Sequence, residues 1–213
     1  MRETTEEGAF DDDPITAAAL RLFAGIGYDN TSARMIADAA GVDLQEVQDR
    51  GGKSTLYKRI VEDFQQEQRS LYEKGMADYA SGPEGLRRHL DDALDLYLSH
   101  PLSMAIWQHR YLEDAADLAE VDVHRSSVFR WMEEMVGPEI AGHPDYRLIV
   151  NLFAWSVYGF LFGGVITENG VPMGPDTAEG RRRFRAMMHR LSDFALQMGI
   201  ADSSWERGRP SEG

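Results

Sequence analysis

The sequence predicts an all-α protein of about nine helices, and three observations carry that reading. Apolar residues recur every three to four positions along almost the whole chain, the period of a helix with one buried face. Stretches alternating apolar and polar, as a half-buried strand would, are nearly absent. Glycine and proline gather between the periodic stretches, at Gly25 and Gly27, Gly51-Gly52, Gly82-Pro83, Pro101, Gly142-His143-Pro144 and Gly170 to Pro175, where turns belong.

Each element has its own signal. Asp13 as N-cap and Pro14 at the first helical position open a helix over 14–24, with Ile15, Ala18, Ala19, Leu22 and Phe23 on one face and Gly25 and Gly27 as its stop. Thr31 is expected to cap a short helix whose apolar positions are Met35, Ile36, Ala39 and Ala40. Gly41 turns the chain, and Asp43-Leu44-Gln45-Glu46 reads as a capping box opening a third helix of about two turns. Two short helices joined through a glycine are the pattern of a helix-turn-helix. A long helix over 54–80 carries Leu56, Ile60, Phe64, Leu71, Met76 and Tyr79, and the next carries Leu86, Leu90, Ala93, Leu94, Tyr97 and Leu98. Further helices are expected over 102–114, 120–136, 145–167 and 177–199, with a short polar stretch from Ala201 onward. The domain organisation expected is an acidic flexible segment at 1–13, a helix-turn-helix domain at 14–60, a ligand-binding and dimerisation domain at 61–200 and a flexible segment at 201–213.

Composition bounds the function. Twenty-two Lys and Arg against 36 Asp and Glu leave a net charge of −14, which excludes binding nucleic acid through overall charge. The charge is uneven: residues 1–13 hold Arg2 against six acids, residues 14–62 hold six bases and six acids, and residues 63–213 carry a net −9. The stretch 14–62 is therefore the part that approaches a polyanion most cheaply. The absence of cysteine excludes disulfides, thiolate metal sites and a cysteine nucleophile, and fits a reducing cytoplasm. The opening residues MRETTEEGAFDDDP are acidic and lack an apolar run, so no secretory signal is expected and a cytoplasmic location is.

From Leu148 to Thr167 the chain reads LIVNLFAWSVYGFLFGGVIT without a charge, long enough to span a bilayer, with Gly159 and Gly163 at small-xxx-small spacing. Asn151, Ser156, Tyr158 and three glycines dilute it, and no Lys/Arg cluster orients it. A helix apolar all round also suits a subunit interface, and that reading is preferred: no membrane.

The run AALRLFAGIGYDNTSARMIADAAGV, followed by Gly51-Gly52-Lys53-Ser54-Thr55-Leu56-Tyr57, resembles the DNA-binding domain of the TetR/AcrR family of bacterial transcriptional regulators over Ile15 to Ile60. The rest of the chain agrees in length and helix pattern. The resemblance implies an Ω-shaped homodimer with a helix-turn-helix on each subunit, a small-molecule pocket among the C-terminal helices, and the last two helices, here about 145–167 and 177–199, paired across the dimer. It also implies that Thr31 sets its hydroxyl and the first free amides of its helix against a phosphate, and that Lys53 touches the backbone. Arg34 is a further phosphate candidate.

The third helix departs from the family pattern. Where relatives carry an aromatic that packs the helix end, Asp43 to Arg50 runs straight into Gly51, and the family's phosphate-contacting Tyr is matched by Gln48. Gln45 and Gln48 can read adenine edges and Glu46 can accept from a cytosine amine, but Asp43, Glu46 and Asp49 set three carboxylates against Arg50, which opposes backbone binding. The DNA-contact candidates are Thr31, Arg34, Gln45, Gln48, Arg50 and Lys53. The pocket candidates, placed by the resemblance and open to the alternative that they are ordinary core, are Tyr97, Met104, Trp107, His109, Tyr111, Phe129, Met132, Phe153 and Trp155, a set suited to an aromatic or lipophilic ligand.

His109 with Glu113 and Glu120 with His124 are spaced i, i+4, and surface pairing is the expected role; no metal or other cofactor is expected. The chain contains no Gly-rich phosphate loop, His-Glu-x-x-His or Gly-x-Ser-x-Gly element, so no catalytic residue is assigned and no enzyme activity is expected. Arg181-Arg182-Arg183 with Arg185 and Arg190 reads as a solvated face, with a contact across a dimer as the competing reading. The function expected is a one-component regulator, a repressor, that binds double-stranded operator DNA as a homodimer and answers an unidentified small molecule. The alternative is a dimer of the same fold that binds a small molecule or protein and has lost ordinary DNA binding.

Overall fold

The structure is a computed structural model that describes residues 13–79, 83–118, 130–134 and 136–201. Among the described residues it is all-α apart from one pair of two-residue strands. The helices are α1 (Pro14–Ile26), α2 (Ala33–Ala40), α3 (Leu44–Asp49), α4 (Gly52–Asp78), α5 (Pro83–Ser99), α6 (Pro101–Arg110), α7 (Pro138–Ala141), α8 (Tyr146–Gly163) and α9 (Ala178–Ala201). Residues 130–134 and 136 are also helical. The rest of the helix expected over 120–136, with Glu120 and His124, lies outside the described residues. Among the described residues no helix is long and apolar enough to cross a membrane.

The chain forms two compact units. One combines the residues up to Leu71 with a stretch beginning at Asp95; the other combines Tyr72–Leu94 with α7 to α9. The core of the first is built from Ile15, Ala19, Phe23, Ile36, Val47, Leu56, Tyr57, Ile60 and Ile106, all buried, so α1, α2, α3, the start of α4 and α6 share one apolar centre. Burying these side chains stabilises the unit by about 1.5–3 kcal/mol for each large one. In the second unit α9 buries Phe184, Met188 and Leu196, and Phe184 stacks on Phe160 of α8 with ring centroids 4.2 Å apart. Arg87 of α5 pairs with Asp193 at 2.6 Å, and Asp91 takes both Arg185 and His189 of α9 at 2.8 Å. Arg182 and Arg183 pair with Glu179 one turn back, and Arg181 donates to the Pro175 carbonyl.

Three sequence-based expectations are corrected. The helix expected over 102–114 stops at Arg110, and Tyr111–Asp117 form turns in which Glu113 and Ala115 take positive φ. The periodic pattern continued, but Asp114 is drawn away to a partner 85 residues earlier in the chain. The helix expected over 145–167 stops at Gly163; Val165-Ile166 then pair antiparallel with Pro172-Met173, a strand pair too short to announce itself by alternation. Finally, Ser32 rather than Thr31 caps α2. The Thr31 side chain is buried and its hydroxyl donates to the Gly27 carbonyl at 2.7 Å, while Ser32 Oγ accepts from the Met35 amide at 3.2 Å.

Candidate nucleic-acid interface

The helix-turn-helix is assembled by caps and one buried anchor. Asp13 caps α1, with Pro14 in the first turn. Ser32 opens α2 and Gly41, in the left-handed region, closes it. At α3, Asp43 and Glu46 form the expected capping box, in which Glu46 Oε1 accepts from the Asp43 amide at 3.3 Å. The six residues of α3 bury Val47 and leave Gln45, Glu46, Gln48 and Asp49 exposed, so the helix is held by one apolar contact line and offers its polar face outward. Gly51 follows at φ 89, where a Cβ would stand 2.5 Å from Thr55 Oγ1. This tight passage into α4 takes the place of the missing aromatic at the helix end.

The turn between α1 and α2 is pinned from three sides. The amides of Tyr28 and Asp29 donate to the Asp114 carboxylate at 2.7 and 2.9 Å. Lys53 Nζ donates to the Tyr28 carbonyl at 3.0 Å and sits 3.8 Å from the centre of the Tyr28 ring, a cation–π contact. The Tyr28 ring packs on Tyr57 at 4.8 Å, and Tyr57 meets Phe23 edge-on at 5.2 Å. Gly27, at φ 82, is the close approach that this requires, since a Cβ there would meet Asp114 Oδ1 at 2.9 Å. His109 Nε2 hydrogen-bonds the Ala24 carbonyl at 3.1 Å, and Arg110 holds the carbonyls of Asp114 and Ala115 at 3.2 and 2.7 Å. Asp114 and Tyr28 escaped the sequence reading because no local spacing relates residues 86 positions apart.

The DNA-contact candidates are therefore placed as follows. Arg34 is exposed on α2 and pairs with Asp38 at 3.3 Å. Gln45 and Gln48 are exposed on α3, with Gln45 donating to Asp49 Oδ1 at 2.8 Å. Arg50 caps the end of α3 and pairs with Asp13. Lys53 is half-buried against Tyr28, and the Thr31 hydroxyl is spent inside the turn. Partial burial pulls the Asp13 carboxyl up, but the Thr16 hydrogen bond and the Arg50 guanidinium outweigh it and hold its pKa below the usual value.

The pocket candidates fall into both units. Met104 is buried and Trp107 packs against the first unit's core, Tyr97 is half-buried, His109 is tied to α1, and Tyr111 is exposed. In the second unit Met132 and Phe153 are half-buried and Trp155 is exposed; Phe129 lies outside the described residues. Glu113 stands in the turn after α6, so it and His109 do not share a helix face. The second unit also buries a histidine that the sequence reading passed over. His89 of α5 is 4 % exposed, packs tilted against Tyr72 with ring centroids 4.6 Å apart, and among the described residues has no hydrogen-bond partner on either ring nitrogen. Burial pulls its pKa down to about 4 against a smaller opposing pull from Asp92. Tyr72 in turn packs on Trp131 at 5.3 Å, and among the described residues the buried Tyr146 hydroxyl also lacks a partner.

Residues 15–43 match the family model described as bacterial regulatory proteins, tetR family. No curated protein matches the chain. The matched residues are α1, α2 and the turn that leads to α3. The match and the helix-turn-helix geometry together make residues 15–43 of this chain similar to the tetR family of bacterial regulatory proteins.

Proposed function

We propose that this chain is a one-component repressor of the TetR family that binds a palindromic operator as a homodimer through α3 and releases it when a small molecule binds among the C-terminal helices. The observation that carries the reading is α3 itself: a short helix after a tight turn, held by Val47, with Gln45 and Gln48 exposed. Such a helix fits the major groove, and its two amide side chains suit adenine edges. Arg34, Arg50 and Lys53 then serve the phosphates, with Thr31 holding the turn that aims α2.

A dimer is supported by α8 and α9. On α8, Leu148, Leu152, Trp155 and Phe162 are exposed, Trp155 by 52 % and Phe162 by 46 %, and with Gly159 they fall on a 4-3-4-3 spacing that makes one stripe. On α9, Met187 and Phe194 are exposed two turns apart. Exposed apolar stripes on two neighbouring helices are what a second copy of the same surface covers in a two-fold dimer. The ligand acts by binding preferentially the conformation whose two recognition helices are mis-spaced for successive major grooves.

A second reading has a specific observation behind it. Asp43, Glu46 and Asp49 line the exposed side of α3, and Arg34 and Arg50 are already paired with acids, which favours a dimer of this fold that binds a small molecule or protein without reading DNA. Selection of genomic fragments by the purified protein at low and moderate salt separates the two. Enrichment of a palindrome, lost in Gln48→Ala and Arg34→Ala, supports the repressor; no enrichment at either salt supports the DNA-silent protein. Lys53→Ala is a poorer probe because it also releases Tyr28.

A further inference from the structure

Asp13 does two things in this fold. Its Oδ2 accepts from the Thr16 amide at 3.3 Å as the N-cap of α1, and the same oxygen takes Nη1 of Arg50. An N-cap needs an acceptor and not a charge, since serine caps as well as aspartate. The charge of Asp13 is thus surplus to capping, and its partner is the lone basic residue between Asp43 and Gly52. Arg50 stands at the C-cap of α3, the end of a helix where a cation is favoured, and both side chains of the pair are partly exposed. Against the upward pull of partial burial, the Thr16 hydroxyl and the Arg50 guanidinium favour the ionised form of the Asp13 carboxyl.

We propose that Asp13 is an intramolecular competitor of the DNA phosphate backbone: it neutralises Arg50 in the free protein, and a duplex has to displace it. The inference rests on the reading of α3 as the DNA-facing helix. Its consequence is a brake on sequence-independent binding. Phosphate contacts supply nearly all of the affinity for random duplex, so withholding the α3 cation suppresses that mode first. An operator, which adds base contacts, still takes Arg50 from Asp13.

The test is a double-mutant cycle read by fluorescence anisotropy on a short random-sequence duplex at low salt. Asp13→Ser keeps the cap and frees Arg50, and it is expected to tighten binding about three-fold, the scale of an exposed ion pair. In the Arg50→Gln background the same change is expected to give a clearly smaller gain, the general repulsion of one carboxylate, because the rest of the effect belongs to the pair. Asp13→Asn, which keeps the shape, should repeat the gain and guards against a folding artefact in the serine variant. No gain in either variant overturns the proposal. A gain of the same size in Arg50→Gln also overturns it, since Asp13 would then act wholly by simple repulsion of DNA. If no variant binds any duplex, the DNA-reading function fails together with the proposal, whereas equal binding by all of them removes the proposal alone.

Discussion

His89 makes the stability of this protein depend on pH in a way that one substitution removes. The ring is buried beside Tyr72 with both nitrogens unpartnered among the described residues, and its pKa is pulled from the ordinary 6.5 to about 4 by burial. The folded protein therefore keeps the ring neutral where the unfolded chain has begun to protonate it. The unfolded state binds the extra proton, so stability is full above about pH 6.5 and falls as the pH drops through the window down to about 4. A shift of about 2.5 units corresponds to about 3 kcal/mol in all, of which about 2 kcal/mol is lost between pH 7 and pH 5. Asp92 softens the effect, since its charge favours the protonated ring. His89→Phe has nothing to protonate. Urea unfolding of parent and variant at fixed protein concentration and ionic strength, at pH 7, 6 and 5, reads the difference as a slope. Carboxylates held low in the fold, such as Asp13, add acid sensitivity to both proteins alike and cancel. Parallel stability profiles for parent and variant would refute the reasoning, because they would mean that His89 is solvated or hydrogen-bonded.

Four further outcomes follow from the geometry. Asp114→Ala leaves the Tyr28 and Asp29 amides without their acceptor and should cost about 1–3 kcal/mol, read as a lower melting temperature; Asp114→Asn should recover part of it through its remaining oxygen. Gly27→Ala, at φ 82 and with a Cβ 2.9 Å from Asp114 Oδ1, should destabilise by more than about 1 kcal/mol, while Gly25→Ala, which meets nothing within 4 Å, should be neutral or stabilising by thermal melt. Trp155→Asp combined with Leu152→Asp should bring the light-scattering mass from twice 24.0 kDa down to 24.0 kDa. Deleting residues 2–12, which carry Arg2 against five acids, should tighten binding to any duplex at low salt, and the gain should shrink as salt screens it.

Local signals in the sequence account for most of the fold. Pro14 after Asp13, the glycine at 41 and the Asp43–Glu46 box each act within four residues, so α1, α2 and α3 are legible where they occur. The errors arise where a distant partner overrides the local pattern. Tyr111 and Leu112 continue a helical stripe, yet the chain leaves the helix so that Asp114 can reach the amides of Tyr28 and Asp29. Thr31 and Ser32 are adjacent and chemically alike as caps, and only the Gly27 carbonyl above Thr31 decides between them. The stripe on α8 was visible as an uncharged run, but not its division into a buried face with Val150, Val157 and Phe160 and an exposed face with Leu148, Leu152 and Trp155. At the interface, residue identities named Gln45, Gln48 and Arg50 as candidates, while the pairing of Arg50 with Asp13 depends on how α1 meets α3, which spacing along the chain does not encode.

The central claim, that this chain reads DNA through α3, is tested most directly by titrating a duplex obtained from genomic selection against a scrambled duplex of the same composition over a range of salt. The account predicts affinity that falls linearly on logarithmic axes as salt rises, a preference of at least about a thousand-fold for the selected sequence, and loss of that preference in Gln45→Ala combined with Gln48→Ala. Equal affinity for the selected and scrambled duplexes, or a preference untouched by the two glutamine substitutions, would contradict it.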